Sequence, residues 1–273
     1  MIRRFLFTAL AVIIAGASMS AQTTSDEFKS RYENQVKRVG YSGLGGETIL
    51  DKWEADYPDA VAPKAGRINY YLGKSRTTVM ITSSEARYLG AKPVLSLKDD
   101  DGNDVNYFED IKYDDEIFSR CQTVADEYIR SYPDELRFRF MKISALIDYE
   151  KGDPVLAETE LNKLVDERGK SWKLDGEPTD EPTFIDAIQE FCFSLYSLGT
   201  PAAYGVFYRL STRMNKLYPK NTAFIDNIGS YWLVSEKNYK KAISFYKKAL
   251  KLDPEDVAAI RNKKLAEREI EKK

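Results

Sequence analysis

Residues 227–256, NIGSYWLVSEKNYKKAISFYKKALKLDPED, carry two apolar stripes at helical spacing with a turn between them. Ile225, Ile228, Gly229, Trp232 and Leu233 fall three and four residues apart. So do Tyr239, Ala242, Ile243, Tyr246, Ala249, Leu250 and Leu252. Residues at those offsets share one helical face, so each helix has one side that must be covered. Lys240, Lys241, Lys247, Lys248 and Lys251 fill the opposite side of the second helix. Pro254 ends it, because the residue before a proline is driven out of helical geometry. Two short helices cannot bury such faces alone, and a stack of similar pairs can.

Similar punctuation recurs upstream. ADYPDA, RSYPDE and KLYPKN close helices at Pro58, Pro133 and Pro219. Residues 134–151 read as a helix, followed by a tight Gly152-Asp153 turn and a second helix that Asp153 caps and Pro154 begins. In the next unit Gly199 ends one helix, Thr200 caps the following one and Pro201 starts it. Between these two units, GKSWKLDGEPTDEP (169–182) reads as a polar loop.

The stretch 221–256 resembles a tetratricopeptide repeat (TPR), a helix–turn–helix unit of about 34 residues. The matching residues are Asn227, Ile228, Gly229, Trp232, Tyr239, Ala242, Tyr246, Ala249 and Pro254. Small Gly229 and Ala242 let the two helices cross closely, while Tyr246 and Trp232 fill space between units. The turn LVSEKN departs from the family pattern by one extra residue and a missing glycine. The resemblance implies an all-α solenoid of about four to five helical pairs, with 255–273 as a polar C-terminal cap. A plain helical bundle is the alternative.

The N-terminal half fits the same scheme more loosely. DEFKSRYENQVKRVG and GETILDKWEADYP read as one helical pair, and PKAGRINYYLG and DDEIFSRCQTVADEYIRSYP as the helices of another. Between the latter two lies a non-helical insertion, about 74–112. Its centre, KDDDGND (98–104), crowds carboxylates around Gly102. Placing Gly102 at the sixth position of a calcium loop puts Leu97 at position one and Phe108 at position twelve, where oxygen ligands are needed. Asp-Gly between the β-leaning runs PVLSLKD and DVNYF signals a hairpin instead. TTVMITSSE either adds a third such run or ends the preceding helix.

Met1-Ile2-Arg3-Arg4, the apolar run from Phe5 to Ala17 and the small residues SMSAQ form the three parts of a secretory signal peptide. The run is shorter than the roughly 20 residues of a spanning helix, although an uncleaved anchor is the alternative. The expected organisation is a signal peptide over 1–21 and a single solenoid domain over 22–273, exported to the periplasm or secreted. In that oxidising setting Cys121 and Cys192 are either buried thiols or a disulfide.

The chain of 273 residues has no histidine, which removes Ser–His–Asp and Cys–His catalysis and histidine-bound zinc. Gly43, Gly45 and Gly46 lack the dinucleotide spacing. A net charge of −2 gives no reason to expect nucleic acid. Acidic pairs such as Asp114–Glu116 suit helix N-termini. No enzyme activity, cofactor or metal site is expected.

What the resemblance implies is protein–protein interaction, with a partner peptide or helix held in a concave groove lined by the first helix of each pair. Repeat spacing places Arg139, Lys142, Tyr149, Gln189, Phe193, Tyr196, Asp226 and Ser230 on that lining. Chaperone-binding members of the family clamp a terminal carboxylate with lysine and asparagine. The matching positions here are Asp226 and Ser230, so that activity is not implied. The alternative function is a module that binds a glycan or peptide through the groove and the insertion. Exposed aromatic residues at Tyr107, Phe108 and Tyr113 would favour it.

Overall fold

In the computed structural model, which describes residues 23–272, five helical hairpins follow one another along the chain and a single helix closes the array. The pairs are α1 (Ser25–Val39) with α2 (Gly46–Asp56), α3 (Val61–Lys74) with α4 (Asp115–Ser131), and α5 (Leu136–Glu150) with α6 (Val155–Asp166). Then come α7 (Glu181–Ser197) with α8 (Pro201–Leu217), α9 (Thr222–Val234) with α10 (Tyr239–Leu252), and the closing α11 (Val257–Glu271). Contacts α5–α7, α7–α9 and α9–α11 align the first helices of successive units, and α6–α8 contact aligns second helices. This is a helical-hairpin solenoid with its main core between α4 and α9. The expected signal segment lies outside the described residues.

Local chemistry sets the helix ends. Tyr57, Tyr132 and Tyr218, each followed by proline, adopt nearly the same non-helical conformation, with φ,ψ of −134°,69°, −129°,70° and −128°,67°. Proline's ring excludes its predecessor from helical geometry, so three distant sites stop alike. Their hydroxyls then donate to Thr23 O, Pro58 O and the Glu181 carboxylate. N-termini are capped by Asp114, Asp180, Thr200, Asn221, Asn238 and Asp256, whose side chains accept backbone N–H groups otherwise left without partners. The glycine missing from the LVSEKN turn is replaced by Lys237, which takes a positive φ of 51°.

Two local expectations are corrected. Asp153 does not cap α6. Pro154 occupies the cap position, and the Glu150 carboxylate, at the end of α5, accepts Leu156 N–H at 2.6 Å and Ala157 N–H at 2.8 Å. Residues 169–182 are not merely a loop. They contain a small antiparallel hairpin, β4 (Lys173–Leu174) and β5 (Glu177–Pro178). Trp172 is buried beside it, with the Arg139 guanidinium over its ring.

Glu135, only 2% exposed, anchors that hairpin. Its carboxylate accepts the N–H groups of Arg137, Asp175 and Gly176 at 2.9, 3.0 and 2.8 Å. Hydrogen bonds to a charged group are the stronger kind, and removing the acceptor leaves donors without partners. Glu135→Ala should therefore cost about 2 kcal/mol and expose Lys170 and Lys173 to trypsin. Urea unfolding and limited proteolysis check this. Unchanged cleavage would show that the hairpin holds without the clasp.

The insertion between α3 and α4 is a three-stranded antiparallel sheet in the order β1 (Arg76–Ser83), β3 (Asp104–Tyr113), β2 (Leu95–Lys98). KDDDGND is the β2–β3 turn. The Asp99 carboxylate accepts N–H bonds from Asp101, Asn103 and the Asn103 amide, and Gly102 takes a φ of 85°. The sheet rests on the turns of two hairpins. Lys151 pairs with Asp110, Arg76 pairs with Asp148, and Gly90 meets the end of α7. A Cβ on Gly90 would lie 1.9 Å from Ser197 O, so the approach is open to glycine alone.

Candidate functional site

The first helices of two successive units, α7 and α9, and the closing α11 line an open groove of about 430 Å³. From α7 come Gln189, Phe193 and Tyr196, from α9 Asp226, Asn227 and Ser230, and from α11 Arg261 and Asn262. Spacings of three and four residues bring each set to one face, and alignment of the helices makes the faces continuous. Phe193 is 65% exposed there. The groove runs on into a second hollow of about 560 Å³, sharing Tyr196, Ser230, Arg261 and Asn262 and adding Lys264 and Arg268.

The structure thus brings together five of the eight residues expected from repeat spacing: Gln189, Phe193, Tyr196, Asp226 and Ser230. It places the other three elsewhere, in internal contacts. Arg139 pairs with Glu167 at 2.9 Å and covers Trp172. Lys142 joins Asp126 and Glu160, at 2.6 and 3.4 Å, tying α4 and α6 to α5. Tyr149 stacks on Phe118 at 4.0 Å between ring centroids and donates to Asp115. Their spacing was suited to the groove, but acidic and aromatic neighbours from other helices engage them first.

The polar groups of the groove are not equally satisfied. Gln189 and Asn227 exchange reciprocal amide bonds at 3.2 and 2.8 Å. Ser230 bonds the Tyr246 hydroxyl of α10 at 3.2 Å. Asp226, only 6% exposed, keeps its Oδ1 buried without any donor. Burial, followed by the charge and hydrogen bond of Asp256, pushes the Asp226 carboxyl up to about 8. Burial also opposes charge on Asp256, yet bonds from the Ala259 N–H, Thr222 and Asp226 bring it below the ordinary carboxylate range. Close carboxyls in a poorly solvated place cannot both ionise freely, so the pair shares a proton. Arg261 lines the same groove, but neither carboxyl forms an ion pair with a lysine or arginine among the described residues.

Repeat spacing pointed to Asp226 but not to Asp256, Arg261 or Asn262. Asp256 carried a signal, since it follows Pro254 where a helix cap belongs. Its approach to Asp226, however, depends on how α11 docks on α9.

A larger cavity, about 630 Å³, lies between α1 and α3 and is lined by Tyr32, Trp53, Asn69 and others. Tyr32 donates there to Gly66 O and Trp53 to Ser25, and none of the lining residues has a buried side-chain polar atom left without a partner. We therefore centre the site on the α7–α9–α11 groove. The insertion supplies none of that groove's lining residues. Nor does it present the exposed aromatic residues expected: Phe108 is buried against Tyr88, Tyr113 packs edge-on to Phe118 and Tyr149, and Tyr107 is half-buried.

Cys121 and Cys192 are free and buried, with burial pushing both thiols up to about 12, so neither is a ready nucleophile. Among the described residues no three cysteines, aspartates or glutamates gather as metal ligands would. Among them, too, no helix is long and apolar enough to cross a membrane.

No family model matches the chain, and no curated protein matches it. Among solved structures, the crystal structure of the yeast Tom70 is similar at 13% identity and a TM-score of 0.47. The match covers 92% of this chain and 40% of that one, so the chain spans less than half the length of that neighbour.

Proposed function

We propose that the array is of tetratricopeptide type and serves as a non-catalytic docking module that holds an extended peptide or helix of a partner protein in the α7–α9–α11 groove. One observation carries this reading. A continuous face built from the first helices of successive units exposes Phe193 among Gln189, Asn227, Asn262 and Arg261. An exposed aromatic ring ringed by amides and an arginine is the composition of a protein-binding surface. The Asp226–Asp256 pair does not speak for catalysis. Asp256 is committed to capping α11, with Ala259 N–H at 3.0 Å, and the groove is open.

The setting we propose is the cell envelope or the exterior. The signal-like residues 1–21 support it, leaving 22–273 as one domain with the insertion inside its second unit.

Site-specific photocrosslinking tests the groove. A benzoylphenylalanine replacing Phe193 should capture a stoichiometric protein partner in the native cell. The same group at exposed Lys247 on α10 should not. Equal capture at both positions, or none at 193, would overturn the reading.

A further inference from the structure

The groove has a buried acidic floor with a missing partner. Asp226 Oδ1 has no donor, and the neighbouring carboxyl of Asp256 can only share a proton with it. A buried polar atom without a partner is costly, and native proteins keep such atoms chiefly where something else satisfies them. What satisfies two adjoining carboxyls best is a cation that donates several hydrogen bonds.

We propose that the Asp226–Asp256 pair is the recognition pocket for a single lysine or arginine side chain of the segment held in the groove. The proposal rests on the docking reading above and names the chemistry of its ligand.

The surroundings fit this occupant. Phe193, Tyr196 and Phe207 line the same groove and offer apolar surface to the aliphatic stem of a long basic side chain. Gln189 and Asn227 of α7 and α9 present amides. The charged and titratable groups around Asp226 are few: Tyr196 on α7, Tyr246 on α10, and Asp256 and Arg261 on α11. The adjoining hollow is bordered by Arg261, Lys264 and Arg268. That basic edge disfavours a run of basic residues and favours one isolated cation.

Binding also moves a proton. With the pair empty at neutral pH, the shared proton sits on the Asp226 carboxyl. An incoming ammonium or guanidinium favours the ionised form, so the proton leaves to solvent. Affinity should therefore rise with pH up to about 8, where Asp226 ionises unaided.

The test uses acetylated, amidated alanine-based decapeptides carrying one central Phe and, at each flanking position in turn, lysine, norleucine or glutamate. Calorimetry on the full chain at pH 7 should show one lysine register binding at least ten-fold more tightly than its norleucine twin. Its apparent enthalpy should differ between phosphate and Tris buffers, because a proton is released. Asp226→Asn should erase both the preference and the release, and Asp256→Asn, which keeps a capping side chain, should weaken the preference. Circular dichroism confirms that each variant folds. Equal binding of lysine and norleucine, a preference that survives Asp226→Asn, absence of proton release, or no binding by any register overturns the proposal. Capture at position 193 together with any of those results overturns the cationic pocket alone. Loss of that capture overturns the groove.

Discussion

At pH 9, Asp226→Asn should be more stable than the parent protein by about 3 kcal/mol, and the advantage should vanish as the pH falls toward 4. The folded chain holds a proton on Asp226 up to about pH 8, whereas the unfolded chain releases it near the ordinary aspartate value of 3.8. Between those values the native state binds more protons than the unfolded state. Parent stability must then decline as pH rises through the window, and the loss is complete above it. Asparagine has the same shape and nothing to ionise, so the variant escapes the decline. Each pH unit corresponds to about 1.4 kcal/mol, and coupling to Asp256 together with local water entry reduces the total. Asp256 acts in the opposite sense, with its lowered carboxyl adding stability that is lost only below its ordinary range. Urea unfolding of both proteins at pH 5, 7 and 9 measures the gap. A gap that stays constant would mean that Asp226 is not buried against Asp256 as described.

Tyr246→Ala should destabilise the C-terminal units by about 4 kcal/mol. The ring is completely buried between α9 and α10. A Cβ on Gly229 would sit 2.7 Å from its Cε1, so tyrosine and glycine occupy one shared space. Truncation leaves a cavity that Gly229 cannot fill, and it strips Ser230 of its hydroxyl partner. In a stack whose helices pack mainly on those of adjoining units, the damage stays local. Amide exchange should therefore accelerate through α9, α10 and α11 while α3 to α6 remain protected. Acceleration spread evenly over the chain would show a single cooperative unit instead. Because α9 and α11 form two walls of the groove, the same variant should lose capture of a partner at position 193.

The close crossing at Gly229 and Ala242 was legible because its cause is local: stripes spaced at three and four residues, with small residues on them, imply two helices that meet closely. The same holds for the Tyr-Pro stops and the Thr200-Pro201 start, where backbone sterics act within a few residues. Tyr246, expected to fill space between units, instead packs on Gly229 within its own pair. The 101–102 turn was read from Asp-Gly between β-leaning runs. The equivalent Asp175-Gly176 signal was overlooked because the flanking strands have only two residues each. That hairpin owes its order to Glu135, about forty residues away, and no local propensity reports such a clasp. Likewise Asp153 looked like a cap, yet Glu150 reached the exposed N–H groups first.

The candidate site divides along the same line. Helical periodicity was enough to place Gln189, Phe193, Tyr196, Asp226 and Ser230 on one lining, because faces and offsets are properties of single helices. It placed Arg139, Lys142 and Tyr149 there as well, and their engagement with Glu167, Asp126, Glu160 and Phe118 depends on elements far away in the chain. By itself the sequence determined an array of helical pairs, a hairpin-like insertion and the side of each helix that faces its neighbour, since sterics and burial of apolar stripes act over a few residues. Only the tertiary structure decided which polar groups find partners. Hydrogen bonds and charges are satisfied across the fold, and the docking of α11 on α9 left Asp226 without a donor beside a second carboxyl.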